Sequence, residues 1–320
     1  MKTIIGVHQY YTAIRDRLKN YIKSDYLANS ETLLLYSDDL LGELSSDYTK
    51  IAQEPYIETS ASYKKIIDGI KNNEAIDVNI KEVLLKMINE NLGVFSDPFE
   101  HQIDALTSFL IGKDLFISTG TGSGKTECFL WPILSKCIKE AQLQPQLFEN
   151  NAVRTLIIYP MNALVSDQLS RFRKIIGSNK FKNIFCETTN AKRIPHFGMY
   201  TGRTPYAGDS NLNSSRALAK RYTEDFFVDE NASLEEQEKK KTLISGLKKI
   251  NKYPARFSEN GLPEFINKLK NNIHEPGPYD AELITRFEMQ ECPPDILITN
   301  YSMLEYMLMR RRETKIWDNT

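Results

Sequence analysis

The run Ser118-Thr119-Gly120-Thr121-Gly122-Ser123-Gly124-Lys125-Thr126 constrains this chain more than any other stretch of it. A short apolar run, Leu115 to Ile117, precedes it, and a helical pattern follows from Gly124 toward Glu140. This context predicts a strand, a tight turn and a helix. Glycines at 120, 122 and 124 let the backbone aim its N–H groups at phosphate oxygens, and a helix start adds unpaired donors and a partial positive charge. Lys125 can then reach the β- and γ-phosphates of a nucleotide, and the Thr126 hydroxyl is placed to ligate Mg2+. The strict pattern has glycine where this chain has Thr119, so the match is to a relaxed form.

Around this loop, apolar runs alternate with amphipathic segments. Leu156 to Tyr159 and Ile296 to Ile298 read as strands, Phe197 to Tyr200 as a possible third, and Leu164, Leu169, Phe172 and Ile176 mark a helix. Strands apolar on both faces, separated by helices, predict an α/β fold with a parallel sheet and right-handed crossovers. From Tyr11 to about Asn91 the periodicity is helical, with Ile14, Leu18, Tyr21 and Ile22 and then Val83, Leu84, Met87 and Ile88. Gln53 to Glu58 interrupts it, because Pro55 disfavours helix just before it. The expected organisation is a helical accessory region over 1–92 and an α/β part over 93–320, with an insertion at about 208–279. Within that insertion Ser233 and Glu236 form a capping box that predicts a helix, and the charge run Glu235 to Lys241 reads as its solvated face.

Lys+Arg 41 against Asp+Glu 42 leaves no general positive field, so any phosphate contacts must come from local placement of donors. The apolar run at the start is too short for a secretory leader, and no stretch approaches the length of a membrane span. Cys128, Cys137, Cys186 and Cys292 form no Cys-x-x-Cys pair and read as reduced thiols. A cytoplasmic protein without a membrane partner is the expectation.

Blocks on either side of the loop carry a family resemblance. Pro98-Phe99-Glu100-His101-Gln102 is similar to the Q-motif of DEAD/DEAH-box helicases of superfamily 2, and Thr119 to Thr126 resembles their motif I. Tyr159-Pro160-Met161-Asn162-Ala163-Leu164, continuing to Gln168, resembles motif Ia; Thr201-Gly202-Arg203-Thr204 resembles motif Ib; Pro294 to Leu304 resembles motif Ic. The likeness covers roughly residues 95 to 310, and its wording is similar to large bacterial helicases related to the Lhr group, some acting in DNA repair and others in phage defence.

The resemblance implies an N-terminal RecA-like domain that binds ATP and Mg2+. ATP would be held by Phe99, Gln102, Thr119, Gly120, Thr121, Gly122, Ser123, Gly124, Lys125 and Thr126. Lys125 would be catalytic and Thr126 the metal ligand. A glutamine carboxamide can donate and accept at once, which suits Gln102 to an adenine edge. Pro160, Asn162, Gln168, Gly202, Arg203, Thr299, Asn300 and Tyr301 would contact single- or double-stranded nucleic acid, with DNA the expected polymer.

Hydrolysis also needs a carboxylate near Mg2+ and a group that orients water. In this family both come from motif II, which no segment after Asn300 supplies, and the second RecA-like half is absent too, so that half is expected on a separate chain or a longer one. Phe226-Phe227-Val228-Asp229-Glu230-Asn231 mimics motif II but precedes the motif Ic block. Two further readings stay open: a nucleotide-binding or interaction module without turnover, and a phosphate-loop enzyme of another class.

Overall fold

The computed structural model describes residues 6–41, 51, 62–206, 208–228, 232–256 and 261–320. These fall into two compact units, Met1–Ser62 and Tyr63–Thr320. In the first, the helix Val7–Ile22 runs through a wider turn at Lys23–Leu27 into the short helices Glu31–Leu35 and Ser37–Leu40. Ile14, Leu18 and Tyr21, the stripe that predicts this helix, are exposed within it. The interruption at Gln53 to Glu58 lies outside the described residues.

The second unit is built on strands β1 (Thr155–Tyr159), β2 (Phe197–Tyr200), β3 (Glu282–Leu283) and β4 (Ile296–Asn300), all parallel and ordered β1-β4-β2-β3. Every residue of β4 is buried, as its position inside the sheet demands. On one face Ile296, Ile298 and Phe197 pack with Val165, Leu169 and Phe172 of the helix Asn162–Ile175, and the same core takes in Trp131 and Ile138 of the helix Glu127–Leu143 and Val83, Leu84 and Met87 of the helix Val78–Asn89. On the other, Leu297, Tyr200 and Leu283 meet Met289, Met303, Met307 and Ile316. The result is the expected three-layer α/β arrangement, consistent with a RecA-like domain.

One strand expectation fails. Leu115 to Ile117 has no sheet pairing, and Phe116 is 96% exposed. The sheet stops at β1, and no described strand lies beyond it to give this segment a hydrogen-bonding neighbour.

Within residues 208–279, the helices Leu212–Phe226 and Gly261–Lys270 form an apolar cluster from Leu218, Tyr222, Phe265 and Leu269, closed by Ile284 and Phe287. The capping box at Ser233 and Glu236 opens the helix Leu234–Lys249, which buries no residue and leaves its charge run in solvent. Asp229, Glu230 and Asn231 lie outside the described residues.

Buried ion pairs fasten the strands. Arg173 grips Glu282 of β3 through two hydrogen bonds at 2.6 and 2.7 Å, and Arg256 pairs with Asp280 and Glu288. Asp295, just before β4, accepts from Arg193, Arg154 and the His196 backbone N–H. Burial pushes the Asp295 carboxyl up, but hydrogen bonding and charge from Arg193, with Arg154 behind it, outweigh that and hold it below the usual carboxylate range. Burial drives the His196 imidazole the other way, down to about 4. Among the described residues no helix is long and apolar enough to cross a membrane. Cys128, Cys137 and Cys292 are buried free thiols and Cys186 a half-buried one.

Candidate nucleotide and nucleic-acid site

The phosphate loop enters the helix Glu127–Leu143 with Thr126 at its N-cap. Gly122 and Gly124 stand at φ +78° and +76°, where a side chain is strained. At Gly124 space is also lacking, since an added Cβ would come 2.2 Å from Gln102 Nε2. Thr119 and Ser123 close the loop with a hydroxyl pair at 2.6 Å. Lys125 folds back, its Nζ donating to the carbonyls of Thr119 (2.6 Å) and Gly120 (2.8 Å).

Gln102 sits in the first turn of the helix Glu100–Leu110 and is only 2% exposed. Its Oε1 accepts from the Phe99 N–H at 2.9 Å and its Nε2 donates to the Gly124 carbonyl at 3.1 Å. One carboxamide thus ties the helix start to the phosphate loop, and both edges of the amide are engaged. His101 adds a second tie, Nε2 to the Ser123 carbonyl at 2.8 Å. Phe99, Gln102, Gly122 and Gly124 line one open cleft of about 600 Å³, with Glu127 and Arg171 on its wall. Cys128 lies buried beneath the loop, and burial pushes its thiol up to about 11.

The second group of residues lies at the carboxyl ends of β1, β4 and β2. These strands are parallel neighbours, so their following turns share one end of the sheet. Pro160 and Asn162 follow β1, Thr299 and Asn300 close β4, and Gly202 and Arg203 follow β2. Asn300 caps the helix Tyr301–Met309 by accepting from the Met303 N–H, and its Nδ2 reaches Asn162 Oδ1 at 2.6 Å. Thr299 Oγ1 donates to the Tyr200 carbonyl at 2.6 Å, joining the β4 turn to the β2 turn. Thr204 Oγ1 accepts from the Thr201 N–H at 2.9 Å, and Arg286 Nη2 donates to the Thr201 carbonyl at 2.8 Å. Gly202, Arg203 and Tyr301 are exposed, whereas Thr299 and Gln168 are buried, and Gln168 Oε1 has no hydrogen-bond partner among the described residues.

Two contributors leave no mark in the sequence. Tyr63 accepts the Gly120 N–H at its hydroxyl, a contact 57 residues apart with no local signal. Arg171 faces Glu127 at 3.6 Å across the cleft wall.

Comparison with known proteins gives the same grouping. Residues 99–205 match the DEAD/DEAH box helicase family. The chain is 34% identical to the Druantia protein DruE of Escherichia coli (strain UMEA 4076-1), over 98% of this chain and 17% of that protein. It is 34% identical to the probable ATP-dependent RNA helicase ddx27 of Dictyostelium discoideum over 31% of this chain and 12% of the relative. Against the ATP-dependent DNA helicase hus2/rqh1 of Schizosaccharomyces pombe it is 29% identical over 49% of this chain and 10% of the relative. The chain therefore spans under a fifth of the length of these relatives. The family match over residues 99–205 and the likeness to DruE over nearly the whole chain support a DEAD/DEAH-box helicase fragment of superfamily 2.

Proposed function

We propose that this chain forms the ATP-binding and strand-gripping part of an ATP-dependent helicase or translocase. The observation that carries the reading is the Gln102 carboxamide bonded to the phosphate loop at Gly124, on a unit where three turns of motif type share one sheet end. Phe99 and Gln102 flank the base end of the cleft. Thr119 to Lys125 cradle phosphates, with Lys125 neutralising charge on the transferred group and Thr126 ligating Mg2+. The fit rests on the two left-handed glycines and on a loop whose side-chain and backbone donors a polyphosphate can take over.

Pro160, Asn162, Gly202, Arg203, Thr299, Asn300 and Tyr301 form the strand-binding ridge, with Gln168 supporting it from the buried side of its helix. The polymer is DNA, on the likeness of the Tyr159–Leu164 and Thr299–Leu304 blocks to Lhr-group helicases. A helical region over 1–92 and a RecA-like part over 93–320 carrying the insertion complete the organisation, which acts in the cytoplasm. Motif II supplies the carboxylate and the water-orienting group, and a second RecA-like half supplies the arginines that complete the site.

Titration calorimetry with ATP and Mg2+ tests the nucleotide site: Lys125→Ala abolishes binding, and full retained affinity in that variant refutes the assignment. Oligonucleotide titrations test the polymer, since tighter binding to single-stranded RNA than to DNA of the same sequence overturns the choice of DNA.

A further inference from the structure

The loop amide at Gly120 already has an acceptor supplied by the protein. Tyr63 Oη takes the Gly120 N–H at 2.9 Å, and it does so from a rigid mount. The residues after it run antiparallel to the start of the Q-motif block: Glu100 N donates to the Lys64 carbonyl at 2.8 Å, Ile66 N to the Pro98 carbonyl at 2.9 Å, and Lys65 bridges Phe99. The Tyr63 ring packs against Phe99 at 5.5 Å and edge-on against His101 at 5.3 Å, and those two rings stack on each other. His101 in turn holds the Ser123 carbonyl. One aromatic trio therefore contacts the loop at its first glycine and again near its middle.

We infer that Tyr63 is a positioning residue that acts as a latch on the phosphate loop, its hydroxyl and a phosphate oxygen being rival acceptors for the Gly120 N–H. This rests on the nucleotide-site reading above. The chemistry is a simple exchange: an N–H has one hydrogen to give, so a polyphosphate that uses Gly120 must displace the phenol. Lys125 meets the same condition, because its ammonium must leave the Thr119 and Gly120 carbonyls to reach phosphate. The latch thus weighs against phosphate and leaves the base end of the cleft untouched, so its signature is selective for the number of phosphates on the ligand.

Tyr63→Phe removes the hydroxyl and keeps the ring. By calorimetry on the full chain, ADP affinity rises roughly three- to ten-fold in this variant, the equivalent of one net hydrogen bond, while adenosine affinity stays at the wild-type value. Tyr63→Ala, which also strips the ring from Phe99 and His101, shifts both ligands. Unchanged or weakened ADP binding by a folded Tyr63→Phe protein overturns the latch. If the wild-type chain binds neither ADP nor adenosine, the nucleotide-site reading itself fails and the latch falls with it, a result distinguishable from wild-type binding that Tyr63→Phe leaves unmoved.

Discussion

Asn300 Nδ2 donates to Asn162 Oδ1 at 2.6 Å, so the turn after β4 is fastened directly to the turn after β1. The same Asn300 carboxamide caps the following helix through the Met303 N–H at 2.8 Å. Asn300→Ala therefore loses a cap and a tie together, at a cost of about 1–3 kcal/mol in denaturant unfolding. Asn162→Ala loses only the tie and costs less, on the order of 1 kcal/mol. Equal destabilisation by the two variants would show that the cap contributes nothing.

Gly122 and Gly124 share a left-handed backbone but differ in surroundings: an added Cβ meets nothing within 4 Å at Gly122 and Gln102 at Gly124. Gly122→Ala should cost about 1–2 kcal/mol, the strain of the conformation alone. Gly124→Ala should cost more, and it should weaken nucleotide binding further because Gln102 must be pushed off the loop. Thermal melts and ADP titrations of the pair separate the two costs, and indistinguishable variants would remove Gln102 as the cause of the difference.

Protonation of His196 opposes the fold. Burial lowers its folded pKa from 6.5 to about 4, so between those values the unfolded chain binds more protons and stability rises with pH. As the solution is acidified from pH 6.5 toward 4 the protein should lose up to about 3 kcal/mol, because each pH unit crossed between the two values contributes about 1.4 kcal/mol. Unfolding midpoints measured across this window should fall less steeply in His196→Gln, and parallel slopes would exclude His196 as the cause.

Asp295 neutralises two buried guanidinium groups. Asp295→Asn leaves Arg193 without a counter-charge and Arg154 with Glu140 alone, and a broken buried pair of this kind costs about 3–5 kcal/mol. Chemical denaturation reads the loss directly, and a change below about 1 kcal/mol would mean that water reaches the pair.

The readable parts of this molecule are those whose chemistry is local. Phe197–Tyr200 and Ile296–Asn300 are strands whose short apolar runs are covered on both faces, Thr155–Tyr159 is a strand with one face half-exposed, and Ser233 with Glu236 starts a helix through its own side chains. Leu115 to Ile117 has the same apolar character as those strands but no sheet neighbour, and pairing is a property of neighbours that a single run does not encode. Short β3 has too few residues to show a period, and it is held by Arg173 on Glu282 from 109 residues away. At the site, the glycine spacing announces the loop, whereas the Tyr63 hydroxyl on Gly120 depends on tertiary folding alone. Gln102 is legible as an amide suited to two partners, though the partners it holds are Phe99 and Gly124.

The outer margin of β1 has a practical consequence. Leu156 and Ile158 are 37% and 46% exposed on a strand that, among the described residues, pairs along one side only, and Phe116 stands almost fully in water. Such a seam is a template for another extended segment, because it offers unsatisfied backbone groups beside apolar side chains. Preparations of these 320 residues should accordingly self-associate as concentration rises, and a charged substitution such as Ile158→Lys should keep them dispersed.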